Sequence, residues 1–144
     1  MTMDGQKFTQ KSIQAIQNCQ AIAEEYGNQE ISQEHLLYAL LTLDDSLILK
    51  LIERMEIQKE YFINRVLSDI EKKPKISGGQ AYVGEHLRKA LQSAEGIAHQ
   101  MGDEYISVEH LVIAIIEHPS PDMKAILKEF GITSGTCFNQ YSLA

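Results

Sequence analysis

The chain has 144 residues, 44% of them hydrophobic and 23% charged, with a net charge of −7. That size suits one globular domain with its own core, and the acidic balance argues against nucleic acid and anionic membrane as partners, since both favour a basic face. No apolar run approaches the roughly 18 residues a membrane span needs, and two cysteines, Cys19 and Cys137, are too few for a disulfide framework, so a reducing cytoplasm is the expected setting.

Positions 1–7 are polar and read as a frayed terminus. Thr9 is placed to cap a first helix, in which Ala15, Ile16, Cys19, Ile22, Ala23 and Tyr26 recur at helical spacing. Gly27 can take the positive φ that closes it. Ser32 caps a second helix with Leu36, Leu37, Leu40 and Leu41 as its apolar face. Glu34 falls in its first turn, where a carboxylate meets free N–H groups. Asp44-Asp45-Ser46 reads as turn and cap for a third helix over 47–55. A fourth covers 58–70, with Phe62, Ile63, Val66, Leu67 and Ile70 as its buried stripe. The stretch 71–81, with Pro74, Gly78 and Gly79, reads as a flexible linker, and its cluster Lys72-Lys73-Pro74-Lys75 as a solvated one.

The pattern restarts at Val83. Leu87, Ala90, Leu91, Ala94, Ile97, Ala98 and Met101 form a second helical stripe that Gly102 ends. Ser107 caps the next helix, carrying Leu111, Val112, Ile115 and Ile116. Pro121 suits the first turn of a seventh, which runs through Ile126, Leu127 and Phe130 to Gly131. Positions 133–144 are expected to hold an eighth helix, weakened by Gly135 and by the lack of any charge. No alternating run demands a strand, so the expected class is all-α, about eight helices in two four-helix halves.

Those halves are one unit written twice. Ile31-Ser32-Gln33-Glu34-His35-Leu36-Leu37 returns as Ile106-Ser107-Val108-Glu109-His110-Leu111-Val112, an offset of 75 that also pairs Ala15 with Ala90, Gly27 with Gly102 and Ala39 with Ala114. A period of that length exceeds the roughly 20–50 residues of solenoid repeats. It predicts two tandem pseudo-twofold halves, over 8–72 and 83–144, joined by a linker at 73–82.

The doubled Ser-x-Glu-His-Leu motif, the opening Lys7-Phe8-Thr9-Gln10-Lys11-Ser12, the linker phrase Ser77-Gly78-Gly79-Gln80 and the approach Gly102-Asp103-Glu104-Tyr105 resemble the N-terminal double repeat of the Clp ATPases, and most of all its ClpB branch of disaggregating chaperones. The resemblance implies a mobile domain tethered to an ATP-driven, hexameric ring, itself monomeric when isolated. It would engage unfolded or aggregated polypeptide, or an adaptor protein, and pass it to the pore. The ClpC and ClpA relatives, which dock adaptors for a protease, are the alternative. No G-x-x-x-x-G-K-[ST] phosphate loop occurs in the sequence, so this chain is not expected to be an enzyme.

Chemistry in the residues themselves is sparse. Glu34-His35 and Glu109-His110 suggest a zinc helix, but the i+4 positions that should supply a second histidine are Ala39 and Ala114. Helix-start carboxylates and locally oriented histidines account for both pairs. Cys19 lies on an apolar stripe, neither cysteine has a foreseeable histidine partner, and Ser32 and Ser107 are caps before they are nucleophiles. His86, His99 and His118 lack repeat mates and read as surface residues; Met55, Met101 and Met123 read as filler. Neither cofactor nor metal is expected. The Clp resemblance assigns substrate handling to the positions of Thr9, Asp103 and Glu109, and links Glu34 with Glu109 to cationic or modified side chains. The expected site is therefore a seam between the first helices of the halves. Ile13, Ile16 and Leu91 would form its apolar walls and Thr9, Asp103 and Glu109 its polar rim, with Glu34 a further binding candidate as the symmetric equivalent of Glu109.

Overall fold

The computed structural model describes residues 7–136. Seven helices carry the fold: α1 (Gln10–Glu25), α2 (Gln33–Leu41), α3 (Leu47–Arg54), α4 (Lys59–Glu71), α5 (Glu85–Gln100), α6 (Val108–Glu117) and α7 (Pro121–Phe130). The all-α class holds. Among the described residues, a helical turn opens at Ser134, and the rest of the expected eighth helix, with Cys137, lies outside them.

Local chemistry sets the helix starts. Thr9 Oγ1, Ser46 Oγ and Ser120 Oγ each accept from the backbone N–H three residues on, all at 3.2 Å, which satisfies one of the orphan donors of a first turn. Gly27 and Gly102 follow α1 and α5 with φ of 71° and 74°, a left-handed conformation that costs a glycine little. α2 and α6 are buried along nearly their whole length and form the centre around which the other helices pack.

Two short parallel pairings depart from the expectation of helices alone. β1 (Glu30–Ile31) pairs with β2 (Tyr82–Val83), Ile31 opposite Val83, and Phe8 bridges Ile106 in the same sense. Ile31 and Ile106 are repeat mates, as are Phe8 and Val83, so this is one contact made twice. The lead-in to each half's first helix lies against the lead-in to the other half's second helix. Thr9 N donates to Ile106 O at 3.0 Å and its mate Gly84 N donates to Ile31 O at 2.9 Å. Strands of two residues are too short to show the period-two pattern by which a sequence announces a strand.

A buried amide ties the halves together. Gln33, fully buried, donates from Nε2 to His86 O at 3.0 Å and His118 O at 2.8 Å, and its Oε1 accepts from Ser120 N at 2.8 Å. Every hydrogen-bonding direction the amide uses reaches the second half. Helix pairs that join the halves are α1–α6, α3–α6, α2–α5, α2–α6 and α4–α7. α1 and α5 each reach the opposite half through its second helix, α1 against α6 and α5 against α2. Between the halves lies a small apolar cavity of about 20 Å³, lined by the buried Leu37, Ile52, Phe62, Val112, Ile115 and Leu127 from α2, α3, α4, α6 and α7.

The linker is not a loose tether. Ile76 N donates to Gly27 O at 2.9 Å, Asn28 Nδ2 to Pro74 O at 3.1 Å, Lys75 Nζ to Tyr26 O at 3.0 Å and Gln29 Nε2 to Gln80 O at 3.2 Å. Lys73, expected in solvent, is instead largely buried, its ammonium 3.0 Å from Glu34 Oε2. These contacts strap 73–80 along the turn that follows α1, so the basic cluster is held by the fold and only partly solvated.

Candidate functional site

Each half places a histidine at the third position of its second helix, and both do the same local work. Ser32 N donates to His35 Nδ1 at 2.8 Å, and Ser107 N to His110 Nδ1 at 2.9 Å. This is the reciprocal arm of a capping box with histidine where glutamate is usual. Because Nδ1 accepts, the ring proton sits on Nε2. His35 Nε2 donates to Asn28 Oδ1 at 2.9 Å and His110 Nε2 to Asp103 Oδ2 at 2.8 Å. Burial first, then the nearby Lys73 ammonium, pushes the His35 pKa down to about 4, so it is neutral at physiological pH.

The set Ser107–His110–Asp103 has the composition of a hydrolytic triad and lacks its wiring. In a triad the histidine takes the serine's proton. Here Nδ1 already accepts the Ser107 N–H, and the Ser107 hydroxyl donates to Glu109 Oε2 at 2.9 Å. The serine is a cap, as its position implied. Cys19, whose thiol burial pushes up to about 12, is no nucleophile either. Among the described residues no group of three His, Cys, Asp or Glu side chains could hold a metal ion.

The sequence-derived site residues divide. Thr9, Asp103 and Glu109 gather about the Phe8–Ile106 bridge: Thr9 is hydrogen-bonded to Ile106 O, and the two acids lie three residues to either side of Ile106. Asp103 is half-exposed even while it holds His110. It borders a cleft of about 360 Å³ with Lys7, Gln92, Glu95, His99 and Glu104. Glu34 does not join them. It is 1% exposed and paired to Lys73, so it forms no rim. Leu91 is buried at 2% exposure, whereas Ile13 and Ile16 are half-buried, packed against the core on one side. Met101, expected in the core, is surface-exposed beside Gly102.

A domain model described as the Clp repeat (R) N-terminal domain matches residues 7–130. The chain belongs to this family. The Clp N-terminal domain described here is 38% identical over 137 residues to the chaperone protein ClpB of Nitratidesulfovibrio vulgaris, covering 91% of this chain and 16% of that one. It thus spans about a sixth of its curated relative's length. The N-terminal domain of Hsp104 from Candida albicans superimposes with a TM-score of 0.81 at 25% identity, over 93% of this chain and 88% of that one. A ClpV N-domain in complex with a VipB peptide shares the fold, with a TM-score of 0.73 at 13% identity over 95% and 86% of the two chains.

Two residues of this Clp domain escaped the sequence. Gln33 carried a visible signal, since its repeat mate is Val108 and a polar residue replacing a valine between buried neighbours needs a partner. Lys73 carried none, because its partner lies 39 positions away.

Proposed function

We propose that this domain is the client-engaging N-terminal module of a ClpB-type, ATP-dependent disaggregating chaperone of the cytoplasm, and that it hands unfolded or aggregated polypeptide to a hexameric ATPase ring. The module itself binds and performs no reaction. The observation that carries this reading is the placement of Thr9, Asp103 and Glu109 about the Phe8–Ile106 bridge, none of them fully buried, with Asp103 on an acidic cleft. Polar and acidic groups at such a rim, next to exposed Met101 and Tyr105, suit weak contact with many sequences. Weak binding is what a feeder needs, because it must release its client.

The likeness to ClpB over 91% of the chain favours this assignment. Docking of an adaptor protein, as in a ClpC- or ClpA-type unfoldase, is the second reading; a ClpV N-domain on the same fold is seen in complex with a VipB peptide. Titration of an unfolded model polypeptide against the domain and its Thr9→Ala/Glu109→Ala variant tests the first. Affinity should fall in the variant; equal affinity removes the rim from the account. A saturable one-to-one complex with a single folded partner, with no binding of unfolded chains, would select the second.

A further inference from the structure

The duplication supplies an internal template. On the first half, the turn after α1 already holds a segment of extended chain, the linker. Lys73 places its ammonium at the Glu34 carboxylate, Pro74 O accepts from Asn28, and Ile76 N donates to Gly27 O. The repeat mates of Gly27, Asn28 and Glu34 are Gly102, Asp103 and Glu109. Among the described residues nothing donates to Met101 O or Gly102 O. Asp103 is half-exposed where Asn28 is buried, and Glu109 is half-buried where Glu34 is sealed. Residues after Thr133 contain no lysine or arginine, so that part of the chain offers Glu109 no ammonium. The clefts also correspond: that of the first half, about 190 Å³, has Lys73, Pro74 and Ile76 among its walls, while the second-half cleft is about 360 Å³. Asn28, Gln29 and Tyr82 in the one are the mates of Asp103, Glu104 and Lys7 in the other.

We infer that the linker fills in cis, on the first half, the site that the second half leaves open, so that the domain takes one extended lysine-bearing segment along Gly102–Glu109 and not two. This rests on the client-binding reading and specifies its mode. The segment's backbone N–H pairs with Gly102 O, and a lysine three residues earlier reaches Glu109, as Lys73 does relative to Ile76. Main-chain pairing supplies tolerance of sequence, and the charge-assisted contact supplies register. The cis occupant keeps the first site shut because tethering gives it a high effective concentration. One difference between the halves sharpens the chemistry. Asn28 donates to a carbonyl, whereas an ionised Asp103 can only accept. The linker's own sequence is therefore a good but imperfect ligand for the second half.

A synthetic peptide copying positions 72–82, titrated into the whole chain and followed by amide NMR shifts, tests the inference. The expected result is saturation at one peptide per domain, with shifts across 101–109 and none across 26–34. Norleucine in place of the Lys73 equivalent should weaken binding roughly tenfold or more, as should Glu109→Gln, which keeps the hydrogen bond from Ser107. Asp103→Asn should tighten binding, because it restores the donor that Asn28 gives Pro74 O; simple attraction of a basic peptide to an acidic face predicts the reverse. Replacing 73–76 by Gly-Ser-Gly-Ser should add a second equivalent, with shifts across 26–34. Two equivalents in the unaltered chain, an indifferent norleucine peptide, or weakening by Asp103→Asn overturns the inference. If unfolded client still binds through Thr9 and Glu109 while the lysine is indifferent, the client-binding reading stands and this one falls.

Discussion

The ammonium of Lys73 lies 3.0 Å from the carboxylate of Glu34, a side chain 1% exposed. Neither carboxylate oxygen has a hydrogen-bond partner of good geometry, so this ion pair is the main compensation for a desolvated charge. Removing one partner of a buried pair costs far more than the pair contributes. Lys73→Met should therefore lower unfolding stability by about 3 kcal/mol, and the double variant Lys73→Met/Glu34→Gln should recover most of it. Urea denaturation with unchanged m-values checks both. A loss below about 1 kcal/mol in the single variant would mean that water reaches Glu34.

His35 makes stability depend on pH. Its pKa is held at about 4 in the fold, against 6.5 for an unperturbed histidine. Between those values the unfolded chain binds the proton and the folded one does not, so stability rises with pH there. The contribution is complete above pH 6.5 and is lost as pH falls toward 4, at up to about 1.4 kcal/mol per unit. His35→Gln should flatten this part of the profile, measured by denaturation at pH steps from 7 to 4.5. An unchanged slope would assign the acid sensitivity to other groups.

Gln33→Leu removes three hydrogen bonds at once and strands His86 O, His118 O and Ser120 N. Buried groups left unpaired cost about 1–3 kcal/mol each, less where the site relaxes. A total near 3 kcal/mol would lower the melting temperature by roughly 10 °C in a domain of this size. Amide exchange should quicken first at Ser120 and the start of α7, because the lost acceptor is theirs. Uniform acceleration across both halves would show that Gln33 stabilises the whole and does not tie the halves specifically.

Cys19 should resist thiol reagents. Burial pushes its pKa to about 12 from 9.0, which leaves about a thousandfold less thiolate than a free cysteine at the same pH, and the thiol donates to Ile16 O at 3.1 Å. In a Cys137→Ser background, DTNB should react only as fast as the domain opens, with full reaction in denaturant. Rapid labelling in native buffer would contradict the packing around α1.

Much of this domain was legible in its sequence, and the legible parts are local. Caps at Thr9 and Ser46, Pro121 in the first turn of α7, the stops at Gly27, Gly102 and Gly131, and the apolar faces of α2 and α6 all follow from contacts within about four residues or from helical period. The resemblance to the Clp family put forward Thr9, Asp103 and Glu109, which lie about the Phe8–Ile106 bridge. Only the tertiary structure decided which of two equivalent acids is buried against a lysine. Glu34 and Glu109 occupy the same place in the repeat, but a lysine 39 positions downstream closes on the first. It likewise decided that α2 and α6 meet each other and the first helix of the opposite half, and that Leu91 is buried. Those outcomes depend on pairings across 39 to 87 positions, such as Glu34 with Lys73 and Gln33 with Ser120. Hydrogen bonds over such separations leave no periodic trace along the chain, because the partners are brought together by the packing of whole helices and not by their neighbours in sequence.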